Sequence, residues 1–171
     1  MQATMIDAAS AESTAEQRAC RKAALRLVPL LALAYFVNYL DRTNVGFAAL
    51  TMNRDLGLGA AQFGFAAGIF YVGYCLFEVP SNLALYRYGA RRWLARIMIT
   101  WGLFAACTSL AVGPNSYAVI RLLAGIGEAG FFPGVIFYLT LWFPSRYRTR
   151  MMGWFLAAIP LSSVFSGPLS V

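Results

Sequence analysis

The stretch Val37-Asn38-Tyr39-Leu40-Asp41-Arg42-Thr43-Asn44 sets an acid beside a base with an apolar run on either side. The run from Leu27 to Leu40 rises only about 21 Å at 1.5 Å per residue, short of the roughly 30 Å of hydrocarbon in a bilayer. A helix that starts there must continue through Val45-Gly46-Phe47-Ala48-Ala49-Leu50, which puts Asp41 and Arg42 near the middle of a membrane span. Ionisable groups at that depth are expensive and mark functional sites by default. The competing reading, a span that stops at Leu40 with the pair solvated among headgroups, leaves the helix too short.

The rest of the chain agrees with a membrane location. Of its 171 residues 60% are hydrophobic and 12% charged, with mean hydropathy +0.61, where a soluble domain would be about a quarter charged. The expected fold class is an all-α membrane protein. The net charge of +7 does not point to nucleic acid, because the basic residues alternate between loops instead of gathering on one solvated face. Cys20, Cys75 and Cys107 stand far apart, so neither a disulfide framework nor a metal site is indicated. Histidine is absent, which leaves carboxylates as the natural groups for a proton relay in the membrane. The lack of histidine and of clustered cysteine also argues against an enzyme. Asp7, Glu12 and Glu16 occupy the place of a basic n-region, so the N-terminus does not read as a cleavable signal.

Residues 1–26 read as a polar, basic tail ending in Arg18, Arg21, Lys22 and Arg26, with a capping box at Ser13-Thr14-Ala15-Glu16 that would start a short helix. Residues 27–171 read as five spans at about 27–50, 62–86, 93–112, 117–142 and 151–171. Asn53-Arg54-Asp55-Leu56-Gly57-Leu58-Gly59 closes the first with turn formers. Gly64-x-x-x-Gly68 in the second is a spacing that lets helix backbones approach in lipid. In the tight turn Gly113-Pro114-Asn115-Ser116, Asn115 or Ser116 can cap the fourth. The fifth runs to Val171 with no polar flank, as though the sequence were cut. Orientation follows from the arginines and lysine. The tail carries four, the turn after the second span has Arg87, Arg91, Arg92 and Arg96, and the loop after the fourth has Arg146, Arg148 and Arg150, against Arg54 alone on the other side. The N-terminus is expected in the cytoplasm, with Trp93 and Trp142 at the cytoplasmic interface.

Neighbours in sequence project about 100° apart on a helix, so Asp41 and Arg42 must find separate partners. Asn38 lies one turn before Arg42, and Tyr35 and Tyr39 extend a polar stripe, as on a helix that lines a cavity. The plain alternative for these three is interhelical hydrogen bonding without a ligand. On the fourth span Arg121 and Glu128 share a face, with Gly125 and Gly127 near the line between them leaving room beside the charges. Arg121 can approach Asp41 or Glu128, or hold an anion between itself and Arg42. A network of this kind can also serve only to orient helices. A buried carboxylate whose arginine partner moves can exchange its proton, which is what coupling protons to an anion requires. Glu78, two residues before Pro80, reads as structural.

With these residues in view the chain resembles the major facilitator superfamily, and within it the anion:cation symporter family of tartrate, sugar-acid and phthalate permeases. The resemblance rests on Asn38-Tyr39-Leu40-Asp41-Arg42-Thr43-Asn44-Val45-Gly46, on Glu78-Val79-Pro80-Ser81-Asn82, and on Arg121-Leu122-Leu123-Ala124-Gly125-Ile126-Gly127-Glu128-Ala129. Arg87, Gly89 and Arg91 match the superfamily's cytoplasmic loop motif, while Asn82 replaces its leading glycine and Tyr86 its acid. The resemblance implies the N-terminal helical bundle of a twelve-helix transporter with a missing C-terminal half, and a substrate site near the midplane between halves. It implies proton-coupled symport of a small organic anion (a sugar acid, tartrate or an aromatic carboxylate) by alternating access in a bacterial inner membrane. Arg42, Arg121, Tyr39 and Asn38 would bind the substrate, Asp41 and Glu128 would carry the proton, and a proton gradient would stand in place of a cofactor. A transporter-like sensor and a nonfunctional truncated fragment are the alternatives.

Overall fold

The computed structural model describes the backbone of residues 2–169 and, within it, the side chains of residues 16–46, 54 and 56–165. Every regular element among them is helical: α1 (Gln2–Asp55), α2 (Ala60–Tyr88), α3 (Ala90–Cys107, extended by a 3-10 turn at Thr108–Leu110), α4 (Pro114–Glu128), α5 (Phe131–Trp142), α6 (Ser145–Leu156) and α7 (Ala158–Leu169). Four stretches are long and apolar enough to cross a membrane: Glu16–Gly46, Ala60–Tyr88, Ala90–Leu110 and Pro114–Trp142. The last is the central one, with 56% of its apolar stretch buried against 22, 17 and 11% for the others.

The boundaries differ from the sequence reading in several places. First, α1 does not begin afresh at Ser13. It runs unbroken from Gln2, because the tail is rich in Ala, Glu, Gln and Arg, all strong helix formers however polar; the side chains of Ser13, Thr14 and Ala15 lie outside the described residues, as do those of Asn53 and Asp55. Second, the stretch expected as one helix over 117–142 is two. The ring of Pro133 excludes the carbonyl of the residue four before it, and that residue, Ala129, leaves the helical region at ψ 132°. Gly130 follows at φ 81°, a left-handed conformation that favours glycine. Third, α4 begins at Pro114 with Gly113 as its cap residue, and Ser116 serves from inside the helix, its Oγ accepting from the Val112 and Gly113 N–H groups at 3.0 Å each. Fourth, the expected fifth span at 151–171 is two shorter helices, α6 and α7, meeting at Ala157.

α2 packs chiefly on α4, α3 bridges α4 and α5, and α1 packs on α6 and α7. The α2–α4 crossing is a backbone-to-backbone contact. A Cβ on Gly125 would run into the Phe70 carbonyl, and one on Gly73 would stand 2.9 Å from the Leu122 carbonyl oxygen. Among the described residues nothing approaches Gly64 or Gly68 within 4 Å of where a Cβ would stand. Gly125 and Gly127 also leave no room beside the charges: the Phe70 backbone fills the first position and the Phe104 ring the second.

An apolar core built from Val28, Leu31, Leu85, Leu94, Ile97, Phe131, Val135 and Leu139 occupies the end where the α2–α3 and α5–α6 turns carry their arginines. A smaller one, Leu58, Ala66 and Tyr117, closes the opposite end. The buried charges lie between them.

Candidate functional site

Asp41 and Arg42 leave α1 in different directions; Arg42 closes an ion pair with Glu128 of α4, and Asp41 lies within electrostatic reach of Arg121 on the same helix. An Arg42 Nη donates to Oε1 of Glu128, closing an ion pair in which Glu128 is 2% exposed. Asp41 faces Arg121, itself buried, with Trp101 of α3 beside its carboxylate. Two acids and two bases thus gather with no net charge, one ion pair closed between Arg42 and Glu128 and the other two charges within electrostatic reach of each other, which makes such groups tolerable at membrane depth.

Phe70 of α2 is shared by the two arginines. The Arg121 guanidinium carbon lies 4.6 Å from its ring centroid and that of Arg42 5.3 Å, so both cations rest on one buried ring. Tyr74, one turn along α2, takes Arg42 at 5.3 Å as well. Contacts of this kind contribute about 0.5–2 kcal/mol each, the more so when desolvated. The glycine at 125 therefore has a consequence for the site, because the close crossing it allows brings Phe70 between the arginines.

Arg42 and Glu128 line a cavity of about 200 Å³ together with Tyr35, Tyr71, Tyr74, Phe131 and Phe132. Four buried polar atoms here lack a protein partner: Glu128 Oε2, Arg42 Nε, Arg121 Nε and Tyr117 Oη. Native interiors rarely leave such groups without water or a guest. Glu128 is also the last residue of α4, directly before the Ala129–Gly130 break, so its carboxylate stands at a discontinuity in the backbone.

Of the residues singled out from sequence, Asp41, Arg42, Arg121 and Glu128 converge. Asn38 is buried behind Glu128, in a small pocket with Trp101 and Met98 instead of in the cavity. Tyr39 does not line the cavity; its carbonyl accepts from Thr43 Oγ1 at 3.1 Å. Sequence reasoning did not single out Phe70, Tyr71 or Tyr74, although two tyrosines one turn apart in an apolar helix carry the same kind of signal as Tyr35 and Tyr39. At the arginine-rich end Gly89 joins α2 to α3 at φ 86°, while Arg87 lies over Tyr88 at 5.9 Å and Arg91 is exposed. The two residues that depart from the loop motif make other contacts: Asn82 Nδ2 donates to the Glu78 carbonyl at 3.0 Å, and the Tyr86 ring packs tilted against Phe137, centroids 4.4 Å apart. Trp93 Nε1 donates to Ser81 Oγ at 3.0 Å, against the Gly130 turn.

The family model described as Major Facilitator Superfamily matches residues 31–171. Curated relatives include an Agrobacterium vitis protein named "Putative tartrate transporter", 54% identical over 92% of this chain and 36% of its own length. The Acinetobacter baumannii "Quinolone resistance transporter" is 46% identical over 91% of this chain and 36% of its own. The "Inner membrane transport protein RhmT" of Escherichia coli is 38% identical over 88% and 35%. The chain spans about a third of the length of the relatives it matches.

Proposed function

The chain belongs to the major facilitator superfamily, and from that premise we propose that it forms the N-terminal part of a proton-coupled symporter of a small organic anion, working by alternating access with a second half. The observation that carries the reading is the buried Arg42–Glu128 pair on the wall of the cavity, with the second Glu128 oxygen unpartnered. An incoming carboxylate competes with Glu128 for the Arg42 guanidinium. A Glu128 carboxylate so displaced would be a buried charge without a partner, at a cost of several kcal/mol, unless it takes up a proton. Anion binding and proton uptake are thereby linked through one guanidinium. Phe70 and Tyr74 hold that guanidinium while its partner changes.

Arg121 and Asp41 take the same roles, anion attraction and proton relay, on the far side of Phe70. Asn38 acts on Glu128 and not on the substrate. The volume of about 200 Å³ equals some six or seven waters at about 30 Å³ each and lies below the 300–1,000 Å³ of sites for drug-sized ligands. With the second half supplying the facing wall, the anion is a sugar acid, tartrate or an aromatic carboxylate, tartrate being in line with the name of the Agrobacterium vitis relative. The basic turns support a cytoplasmic N-terminus, and the name of the Escherichia coli relative supports an inner membrane.

The test is a chimera in which this segment replaces the matching part of the Agrobacterium vitis relative, reconstituted in vesicles and supplied with labelled tartrate. Glu128→Gln should abolish accumulation driven by a proton gradient while leaving exchange of labelled for unlabelled acid. Arg42→Ala should weaken binding itself by roughly ten- to 150-fold, the loss of a hydrogen bond to a charged group. Accumulation that survives Glu128→Gln overturns the coupling assignment. For orientation, a cysteine at Ala60 should react with impermeant thiol reagents in intact cells while one at Ser145 resists; the reverse pattern inverts the topology.

A further inference from the structure

Away from the charged site, two cavities of about 660 and 570 Å³ lie between α1 and the α6–α7 segment. They meet at Ala32 and Trp154, which line both, so a single groove follows α1. Its upper part opens between Arg21 of α1 and Arg150 of α6, and its deep end closes where Phe36 meets Phe165 edge-on at 6.2 Å. From Arg21 to Phe36 the helix rises about 22 Å, half of the roughly 40–45 Å that a bilayer measures with its headgroups. The groove is therefore one leaflet deep.

Its chemistry is graded in the same direction. Leu25, Leu33 and Leu161 stand more than half exposed on its walls, as does Trp154, and no acid is among its described lining residues. Beside the mouth Glu16 pairs with Arg146 at 3.3 Å, tying α1 to α6 and neutralising the nearest carboxylate. The positive charge of Arg21 and Arg150 is left facing the headgroup level. We infer that this groove holds an anionic phospholipid, its phosphate between Arg21 and Arg150 and an acyl chain along Leu25, Leu33 and Leu161 to Phe36. A soluble anion would use the arginines and leave the apolar length unfilled. A zwitterionic lipid would fill the length and gain little from the two charges. Basic pockets between membrane helices that take acidic headgroups follow the same logic.

Trp154 lines both parts of the groove and reports on it. The purified chain is reconstituted into phosphatidylcholine vesicles doped with acyl-brominated phosphatidylglycerol or acyl-brominated phosphatidylcholine. The Trp154 signal is taken as the difference from Trp154→Phe. An arginine at the headgroup level contributes roughly fivefold in affinity, so the two predict half-quenching at about thirtyfold less of the anionic lipid. Arg21→Gln with Arg150→Gln should bring the two lipids to near equality, Arg21→Lys with Arg150→Lys should keep most of the preference, and Arg91→Gln with Arg92→Gln should keep all of it. Equal quenching by both lipids in the unaltered chain overturns the proposal, as does a preference lost as fully with Arg91 and Arg92, which would mean diffuse surface charge. Reversal of quenching by millimolar inorganic phosphate would overturn it in favour of a plain anion site. Quenching by neither lipid would overturn it in favour of a second copy or another stretch of protein filling the groove.

Discussion

The α2–α4 crossing and the α1 face toward α6 and α7 solve the same problem in opposite ways. Both join helices in a solvent as apolar as their own side chains, where association rests on van der Waals contact and polar links instead of a hydrophobic driving force. At the first, Gly73 and Gly125 bring backbone against backbone. At the second, large side chains meet and leave cavities of about 660 and 570 Å³ between them. The difference bears on where chemistry can sit. A charge network needs its members fixed, and Arg42, Arg121 and Phe70 gather where the tight crossing fixes them. A lipid-sized guest needs space, and the loose face supplies it.

The largest effect expected is therefore at Gly125. A methyl there meets the Phe70 carbonyl, which belongs to backbone and cannot rotate aside. Gly125→Ala should cost about 3 kcal/mol or more, the upper end for overpacking, read as the melting midpoint in detergent. It should also displace Phe70 and so disturb both arginines. A Gly125→Ala protein that melts normally would show that the crossing is not the rigid element. Next comes Gly130, whose φ of 81° and whose contact with Ser81, 2.6 Å from a Cβ to Oγ, both resist a side chain. Gly130→Ala should cost about 1–3 kcal/mol from left-handed strain plus the displaced Ser81–Trp93 hydrogen bond. An unchanged melting midpoint there would mean that the α4–α5 break re-forms without left-handed backbone.

The same contrast marks how far the sequence could be read. The membrane class and the buried charges were legible because hydropathy and span length are properties of one helix at a time, and Leu27 to Leu40 is simply too short to stop at Asp41. What two helices do together was not legible. That Arg42 meets Glu128 while Asp41 is turned toward the field of Arg121 depends on the rotation of α1 against α4, which no spacing within either helix sets. The break after Glu128 could have been placed from Pro133, since a proline's effect falls four residues before it. The tail's helix was expected to start only at Ser13, because the Ala, Glu and Gln before it read as polar and solvated while also being strong helix formers. Phe70 gave no signal, since an aromatic in an apolar helix is ordinarily core.

A smaller effect is expected on the loose face. Glu16 and Arg146 are about half exposed, with side chains 42 and 53% accessible, and exposed pairs contribute about 0–1 kcal/mol after screening and side-chain entropy. Glu16→Gln should therefore shift the melting midpoint little, and less still as salt is raised. A loss of several kcal/mol would show that the α1–α6 contact depends on this one link and that the face is held more tightly than its cavities imply.

The smallest effect is at the pair that the sequence advertises most. Gly64 and Gly68 have the spacing by which helices approach in lipid, and a reading from sequence alone makes them the crossing point of α2. A Cβ at either would meet nothing within 4 Å. Exchanging each for alanine removes the backbone entropy that glycine loses on folding, worth roughly 0.5–1 kcal/mol inside a helix, and adds no clash within this chain. Gly64→Ala and Gly68→Ala should thus leave the melting midpoint of the isolated chain unchanged or slightly raised, in direct contrast to Gly125→Ala. The two sites then serve to separate the bundle from what packs on it. A substitution that is silent in this chain but harmful in the chimera with the Agrobacterium vitis relative would locate a partner surface on α2. One that destabilises the isolated chain would show that α2 meets another helix here, and the division between a tight crossing at Gly125 and open lipid at Gly64 would fail.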